Sequence, residues 1–530
     1  MSGEGVSGTF DFSDSEIRQA VREGRLLSLE LEFTRACNYL CPYCYAAEEA
    51  EDAAAGAEET GMDTREGGRT AISSFSPSCV SSASAGFPAK KGELSGEEIL
   101  SVLKQAAALG ARKIVLLGGE PLLHPDLTGE ISRIRELGMH AEIFTNGSLV
   151  TEELARELHR LECRVAVKLN SLDSSIHDQM TGTRDSLRTA LRALEILQKA
   201  GYAATPDLLG AATVLSTLNL REAPEIWRFL RERKIRPYFE CMTPQGRLLE
   251  HNELLPAPEE LEKVFCELAR IDREYGYEWS PQPPLAGQKC LRHLYSCVVK
   301  SNGDVIPCVG LDCVIGSIRE KPLADILKNS RILARLKDHR KYIKEPCRSC
   351  DKAEHCYGCR GTAWQMTGDF LAADPSCWRN AGRLSEIRTL PANARELIPH
   401  KGKMALVDEL VKLGDGTGET LSLVRDDNLF LDENGFLSPE ALIEYAAQSA
   451  AALDSFENSG NISGGLLTGI LSFSFGETRA APGDRIRVFL RKEDELGEWN
   501  ILSFRIFKNG SSLLLLAEGK LKLCIPQLPQ

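Results

Sequence analysis

Six times between residues 25 and 242 a short apolar run gives way to a helical pattern. The runs are LLSLELEF (26–33), KIVLLGG (113–119), AEIFTN (141–146), RVAVKLN (164–170), AATVLS (211–216) and RPYFECM (236–242). In the first, Leu27, Leu29, Leu31 and Phe33 share one face, and Ser28, Glu30 and Glu32 the other. Helical segments such as EEILSVLKQAAALG and LRTALRALEILQKAG lie between, each closed by glycine. Neighbouring parallel strands need a crossover of this kind, so the alternation predicts a parallel sheet, open or barrel-like. One stretch breaks the rhythm. Residues 47–93 are rich in Ala, Glu, Gly and Ser without an apolar period, and read as a flexible insertion in which Cys79 is incidental.

Beyond the alternating region the character changes twice. Residues 286–385 carry many cysteines and few strong helices. From about 388 onward, strand patterns (LSLVRD, RIRVFLRK, WNILSFRIFK, SLLLLAEGKLKL) surround one apolar helix, LSPEALIEYAAQSAAALDSF, which predicts an α+β domain with that helix buried. A chain of 530 residues has room for about three domains. The expected division is a segment 1–24, an α/β core 25–285, a Cys-rich domain 286–386 and the α+β domain 388–530.

Charge and hydropathy exclude several classes. The net charge is −13, and an acidic body is not drawn to nucleic acid or to an anionic membrane. The opening MSGEGVSGTFDF has no basic and apolar leader regions. The long uncharged stretch 458–476 holds five glycines and is too polar for a bilayer span. The expectation is a soluble, cytoplasmic protein.

In that compartment the 17 cysteines do not read as disulfides. Directly after the first strand stands CNYLCPYC, which places Cys37, Cys41 and Cys44 in C-x3-C-x2-C spacing. Three thiolates in one loop can hold three irons of a [4Fe-4S] cube and leave the fourth open. The alternative is a zinc loop that borrows a distant fourth cysteine.

With Tyr43 before the last Cys, these residues resemble the radical S-adenosylmethionine (SAM) superfamily, over about the first 240 residues. The resemblance implies that the open iron chelates SAM, whose one-electron cleavage yields a 5′-deoxyadenosyl radical that abstracts hydrogen. It also implies a partial (β/α)6 TIM-like barrel. GGEP (Gly118, Gly119, Glu120, Pro121) ends the second strand, where the family binds the SAM amino group; TNG (Thr145, Asn146, Gly147) ends the third. NSLD (170–173) ends the fourth, where the family's Ser, here Ser171, contacts SAM. Sulfatase-maturating relatives place an Arg shortly after the equivalent of His177-Asp178; Thr181 stands near that site here, so the role is not carried over.

A second set reads Cys290-x6-Cys297-x10-Cys308, then Cys347-x2-Cys350-x5-Cys356-x2-Cys359-x17-Cys377. Eight thiolates suffice for two four-iron cubes, or for two Zn(Cys)4 sites. The NGDVIPC run and the CxxC…CYGCRG…C run resemble the SPASM auxiliary-cluster domain. That resemblance implies one auxiliary cluster on Cys290, Cys297, Cys308 and Cys359, and another on Cys347, Cys350, Cys356 and Cys377. The x2 spacing before Cys359 departs from the commoner x3. Val309 stands where sulfatase-maturating relatives carry a basic Asp, which argues against formylglycine formation. Of the six remaining cysteines, Cys163, Cys241 and Cys524 lie in apolar strand contexts and read as core.

IPHKGKMALVDEL (398–410) and LSPEALIEYAAQSAAAL (437–453) resemble hot-dog-fold 3-hydroxyacyl-acyl-carrier-protein dehydratases of the aryl-polyene type. Dehydration needs a base for the α-proton and an acid for the departing hydroxyl. The family's helix carboxylate maps to Glu444. The usual His loop is replaced by FLDENGFLSP, which leaves His400 as the substitute, or as a loop-structural residue. Weak or absent dehydratase activity is the expectation, and a binding module or dimerisation unit the alternative. The resemblances together imply a peptide or acyl-carrier substrate, a reductant such as flavodoxin or ferredoxin, and a homodimer through the hot-dog domain.

Overall fold

The structure is a computed structural model that describes residues 11–46, 92–353, 356–414, 416–458, 466–496, 499–509 and 513–524. Residues 47–91 of the expected insertion, Cys79 included, lie outside the described residues. The chain forms two units. Among the described residues one runs to 362 and includes 376–382; the other takes 363–375 and 383 onward.

In the first unit six strands are parallel: β1 (Ser28–Thr34), β2 (Lys113–Gly118), β3 (His140–Thr145), β4 (Arg164–Lys168), β5 (Leu209–Leu215) and β6 (Arg236–Cys241). They lie in sequence order from β6 to β1, and the sheet continues past β1 through β7 (Ser296–Val299), β8 (Asp304–Ile306) and β9 (Gly316–Ser317). β7 is parallel to β1, and β8 returns antiparallel to β7. Helices start where polar side chains can take their first amides. Ser95 and Glu98 form a reciprocal capping box before the helix Gly96–Ala108, and Asp173 caps Ser174–Thr181 through Ser175 and Ile176.

One face of the sheet makes the core. Leu29, Leu31 and Phe33 of β1 join Ile114 and Leu116 of β2, Ile143 of β3, Val165 and Val167 of β4, and Ile99, Val102 and Leu103 from the helix after Ser95. The other face of β1 is buried too: Ser28, Glu30 and Glu32 are 3%, 4% and 5% exposed. Alternation in β1 therefore separates an apolar core face from a covered polar face, not core from solvent. Each carboxylate there has a partner. Glu30 pairs with Arg292 at 3.3 Å, and Glu32 accepts from the Ser301 amide at 2.9 Å.

The second unit is an antiparallel sheet in the order β10 (Ala392–Asn393), β11 (Glu409–Gly414), β12 (Thr417–Leu423), β14 (Arg485–Leu496), β15 (Trp499–Asn509), β16 (Leu514–Cys524) and β13 (Leu466–Phe475). The helix Pro439–Glu457 buries Ala441, Leu442, Tyr445 and Ala446 against Val488, Phe504, Ile506 and Leu521. Residues 363–375, expected in the Cys-rich domain, pack with this unit. A Cβ on Gly368, whose φ is +72°, would come within 2.5 Å of Leu413. Among the described residues of this unit three strands escaped the sequence reading, β10, β11 and β13, as did β7, β8 and β9 in the first unit. β13 is hidden by its Gly and Ser content. Among the described residues no helix is long and apolar enough to cross a membrane.

Candidate functional site

The ends of β1, β2 and β3 converge. After β1 the chain passes through Arg35 and Ala36 to Cys37. The Gly119 amide donates to Thr34 O at 2.7 Å and the Glu120 amide to Ala36 O at 2.8 Å. A Cβ on Gly118 would lie 2.2 Å from Thr34 O, and one on Gly119 the same distance from Ala36 O. The two glycines thus serve the close approach of this chain's own cysteine loop.

Glu120 is 1% exposed. Its Oε1 accepts from the Thr145 hydroxyl at 2.6 Å and the Leu122 amide at 3.1 Å, and its Oε2 from the Asn146 amide at 2.8 Å. Burial still pushes the carboxyl up to about 7 against these three donors. Asn146 also donates to Asn38 Oδ1 at 2.8 Å, and Asn38 to Ser148 Oγ at 2.8 Å, which ties the cysteine loop to the TNG turn. Tyr43 accepts from Asn170 Nδ2 at 2.6 Å. Glu93, the last residue of the expected insertion, accepts from the Arg35 amide at 2.7 Å. Tyr43, Gly118, Gly119, Glu120, Thr145 and Asn146 are therefore gathered around the loop. Ser171 is engaged elsewhere: its hydroxyl donates to Glu222 at 2.5 Å.

Cys37, Cys41 and Cys44 sit on one tight loop, with the Cys44 amide on Cys41 O at 3.1 Å and the Tyr39 amide on Cys37 Sγ at 3.4 Å. Burial, and after it the neighbouring Cys44 and Cys37 thiols, push the Cys41 thiol up to about 12. Three thiolates so close repel one another until a cation replaces their protons, so the donor set fits an iron cluster. Among the described residues no three His, Cys, Asp or Glu side chains surround a single-ion position. A cube takes one thiolate per iron and does not call for such convergence.

Sequence reasoning missed the polar lining of the sheet. Lys168 Nζ lies 3.4 Å from Glu240, and Arg292 contacts both Glu30 and the Tyr238 hydroxyl. The signal was present: Glu30, Lys168 and Glu240 stand in otherwise apolar strand runs.

The later cysteines form two neighbourhoods. Gly310 and Gly361 touch backbone to backbone, since a Cβ on Gly361 would lie 2.8 Å from Gly310 Cα. This draws Cys308 and Cys359, each two residues earlier, together. Burial pushes the Cys308 thiol up, and Cys359 and Cys290 add to the shift. Cys347 and Cys356 line a cavity of about 240 Å³ with His339 and Arg348. The Cys350 amide bonds Cys347 O at 3.3 Å. Asn380 approaches Cys347 Sγ at 3.5 Å while its amide bonds Cys377 O at 2.8 Å. Cys297 joins neither group: it is fully buried in the apolar core with Leu29 and Val299. Cys163 is core as expected, Cys241 packs partly buried against the same core, and Cys524 is half-buried.

In the second unit His400 Nε2 lies 3.4 Å from Glu444 Oε1. The same oxygen accepts from Gln448 Nε2 at 2.7 Å. Gln448 also donates to Met404 O at 2.7 Å and accepts from the Leu406 amide at 2.9 Å, which clamps the His400 loop to the helix. Gln448 was not singled out from sequence, although it follows Glu444 by one helical turn.

Comparison with known proteins assigns the same regions. Residues 31–230 match the Radical SAM superfamily, 290–351 the SPASM iron-sulfur cluster-binding domain, and 392–530 the ApeP dehydratase family. An AdoMet-dependent heme synthase of Methanosarcina barkeri is 28% identical over 58% of this chain and 93% of its own. A PqqA peptide cyclase of Granulibacter bethesdensis is 26% identical over 54% of this chain and 79% of its own. Among solved structures, Streptococcus suis SuiB bound to S-adenosylmethionine aligns with a TM-score of 0.47 and 16% identity, over 69% of this chain and 84% of that one.

Proposed function

We propose that this chain, a radical SAM enzyme with a SPASM domain and a carboxy-terminal ApeP-like dehydratase domain, modifies a peptide or carrier-bound substrate by hydrogen abstraction. The observation that carries the reading is the buried Glu120, fixed by Thr145 and Asn146 beside the three-cysteine loop. Cys37, Cys41 and Cys44 would hold the cluster, and Glu120 would take the SAM ammonium. Such a cluster, with SAM bound, would supply the one-electron reductive chemistry that hydrogen abstraction needs. Asn38 and Asn146 keep the cysteine loop and the TNG turn in register, and the Tyr43–Asn170 bond anchors the loop to the end of β4. The SPASM cysteines would hold two auxiliary four-iron clusters, with Cys347, Cys350, Cys356 and Cys377 on the second, and a flavodoxin or ferredoxin would deliver electrons. The likeness to a PqqA peptide cyclase favours a peptide. The test is anaerobic incubation with SAM and dithionite. Formation of 5′-deoxyadenosine by the unaltered chain, and its loss when Cys37, Cys41 and Cys44 are all replaced by Ala, supports the reading. Equal formation by both sinks it.

A second activity is favoured by the His400–Glu444 separation of 3.4 Å. One group of the pair would take the α-proton of a 3-hydroxyacyl carrier while the other protonates the departing hydroxyl, releasing water. The same unit would pair with a second copy of this chain. β13 is an edge strand with Leu466, Ile470, Leu471 and Phe475 all about half or more exposed, and its free backbone groups suit an antiparallel twin.

A further inference from the structure

We infer that Cys297 is no cluster ligand, and that the auxiliary cluster of Cys290, Cys308 and Cys359 has an iron without a protein thiolate, open to a small anionic or soft donor. The inference rests on the proposed presence of auxiliary clusters. It follows from the pleat of two neighbouring strands. β7 pairs with β1 so that Cys297 stands opposite Leu29 and Val298 opposite Glu30. In parallel strands partners in register share a face. Cys297 and Leu29 are both fully buried, and with Leu31, Val299 and Val305 they belong to the apolar core.

The other three cysteines lie toward the opposite face. Arg292, two residues past Cys290, reaches Glu30 at 3.3 Å. Ile306 pairs with Val298, on the Glu30 face, and Cys308 follows two residues later. Cys359 is brought to Cys308 by the Gly310–Gly361 contact. A thiol on the core side of β7 would have to pass through the sheet to join them. Moving Cys297 over would turn its neighbours too, because a one-residue slip exchanges the faces and would carry Val299 out of the core. The sequence spacing Cys290-x6-Cys297 thus joins a ligand to a core residue.

The test uses the full chain with Cys37, Cys41 and Cys44 replaced by Ala, so that only auxiliary clusters remain. After anaerobic reconstitution this protein should bind about eight irons. Adding Cys297→Ala or, to refill the core, Cys297→Val should leave the count unchanged, whereas adding Cys290→Ala should cost about four irons. Cyanide should shift the EPR signal of the reduced background protein, since an open iron accepts it. Loss of about four irons in both Cys297 variants, with circular dichroism unchanged, overturns the inference. So does the same loss in Cys313→Ala, which would make that nearby thiol the fourth ligand, or an EPR signal indifferent to cyanide. A background protein that binds no iron fails differently: it removes the auxiliary clusters themselves.

Discussion

The Thr145 hydroxyl donates to Glu120 at 2.6 Å between the ends of two neighbouring strands, and this bond helps set a buried carboxylate at the cysteine loop that is held from both oxygens. Burial pushes that carboxyl up to about 7. Only the ionised form attracts an ammonium. SAM affinity should therefore rise about tenfold per pH unit below about 7 and level off above it. Glu120→Gln should flatten the profile and weaken binding by about 1.5–3 kcal/mol, the scale of a hydrogen bond to a charged group. In the ligand-free protein the raised value means that Glu120 favours the fold while protonated, an advantage lost as pH rises through about 7. Equilibrium dialysis of SAM against pH checks the first effect; an affinity flat from about pH 5.5 to 8.5 contradicts it.

Iron content separates the ligand chemistries. The reconstituted chain should carry about twelve irons in three clusters, and the triple alanine variant at Cys37, Cys41 and Cys44 about eight. Atomic absorption alongside zinc analysis makes the measurement. About four irons with stoichiometric zinc would assign the later cysteines to zinc.

For the carboxy-terminal unit the sequence predicts weak or absent turnover, whereas the His400–Glu444 pair predicts hydration of a crotonyl-carrier thioester by the full chain. His400→Ala and Glu444→Ala should each lower it by about 10²–10⁴-fold, the usual contribution of one acid–base group. Gln448→Ala should lower it as well, through the lost clamp between Glu444 and the 404–406 backbone. Turnover untouched by His400→Ala would return His400 to a structural role in its loop.

The sequence made the strand–helix alternation and the metal-type spacings readable because both are local. β1 to β6 lie where their apolar runs stand, and GGEP and TNG end strands as expected. Which cysteines meet was not local. Cys297 looked like its neighbours in spacing, and only the pairing of β7 with β1 shows that it faces Leu29. Gly118 and Gly119 were legible as part of a strand-end motif, but not that they make room for the backbone of Thr34 and Ala36. Ser171 carried a motif position yet bonds Glu222, 51 residues away, which no spacing reveals. β13 was missed because Gly469 and its serines mask the period of two, and an edge strand does not need a continuous apolar face.

That edge strand supplies the last expectation. Ile470 and Leu471 are 48% and 54% exposed on β13, which pairs with β16 on one side only. An exposed apolar edge of this length invites another strand, even with the two irregularities in its pairing to β16, and lysine there is the common block. Ile470→Lys with Leu471→Lys should convert a dimer to a monomer in light scattering. Both side chains are largely outside the core, so the unfolding temperature of the monomer should hold, as surface substitutions usually cost within about 0.5 kcal/mol. The 5′-deoxyadenosine assay should also be unaffected, since no residue of the cysteine-loop site lies in this unit. A double-lysine variant that remains dimeric would move the subunit contact away from β13.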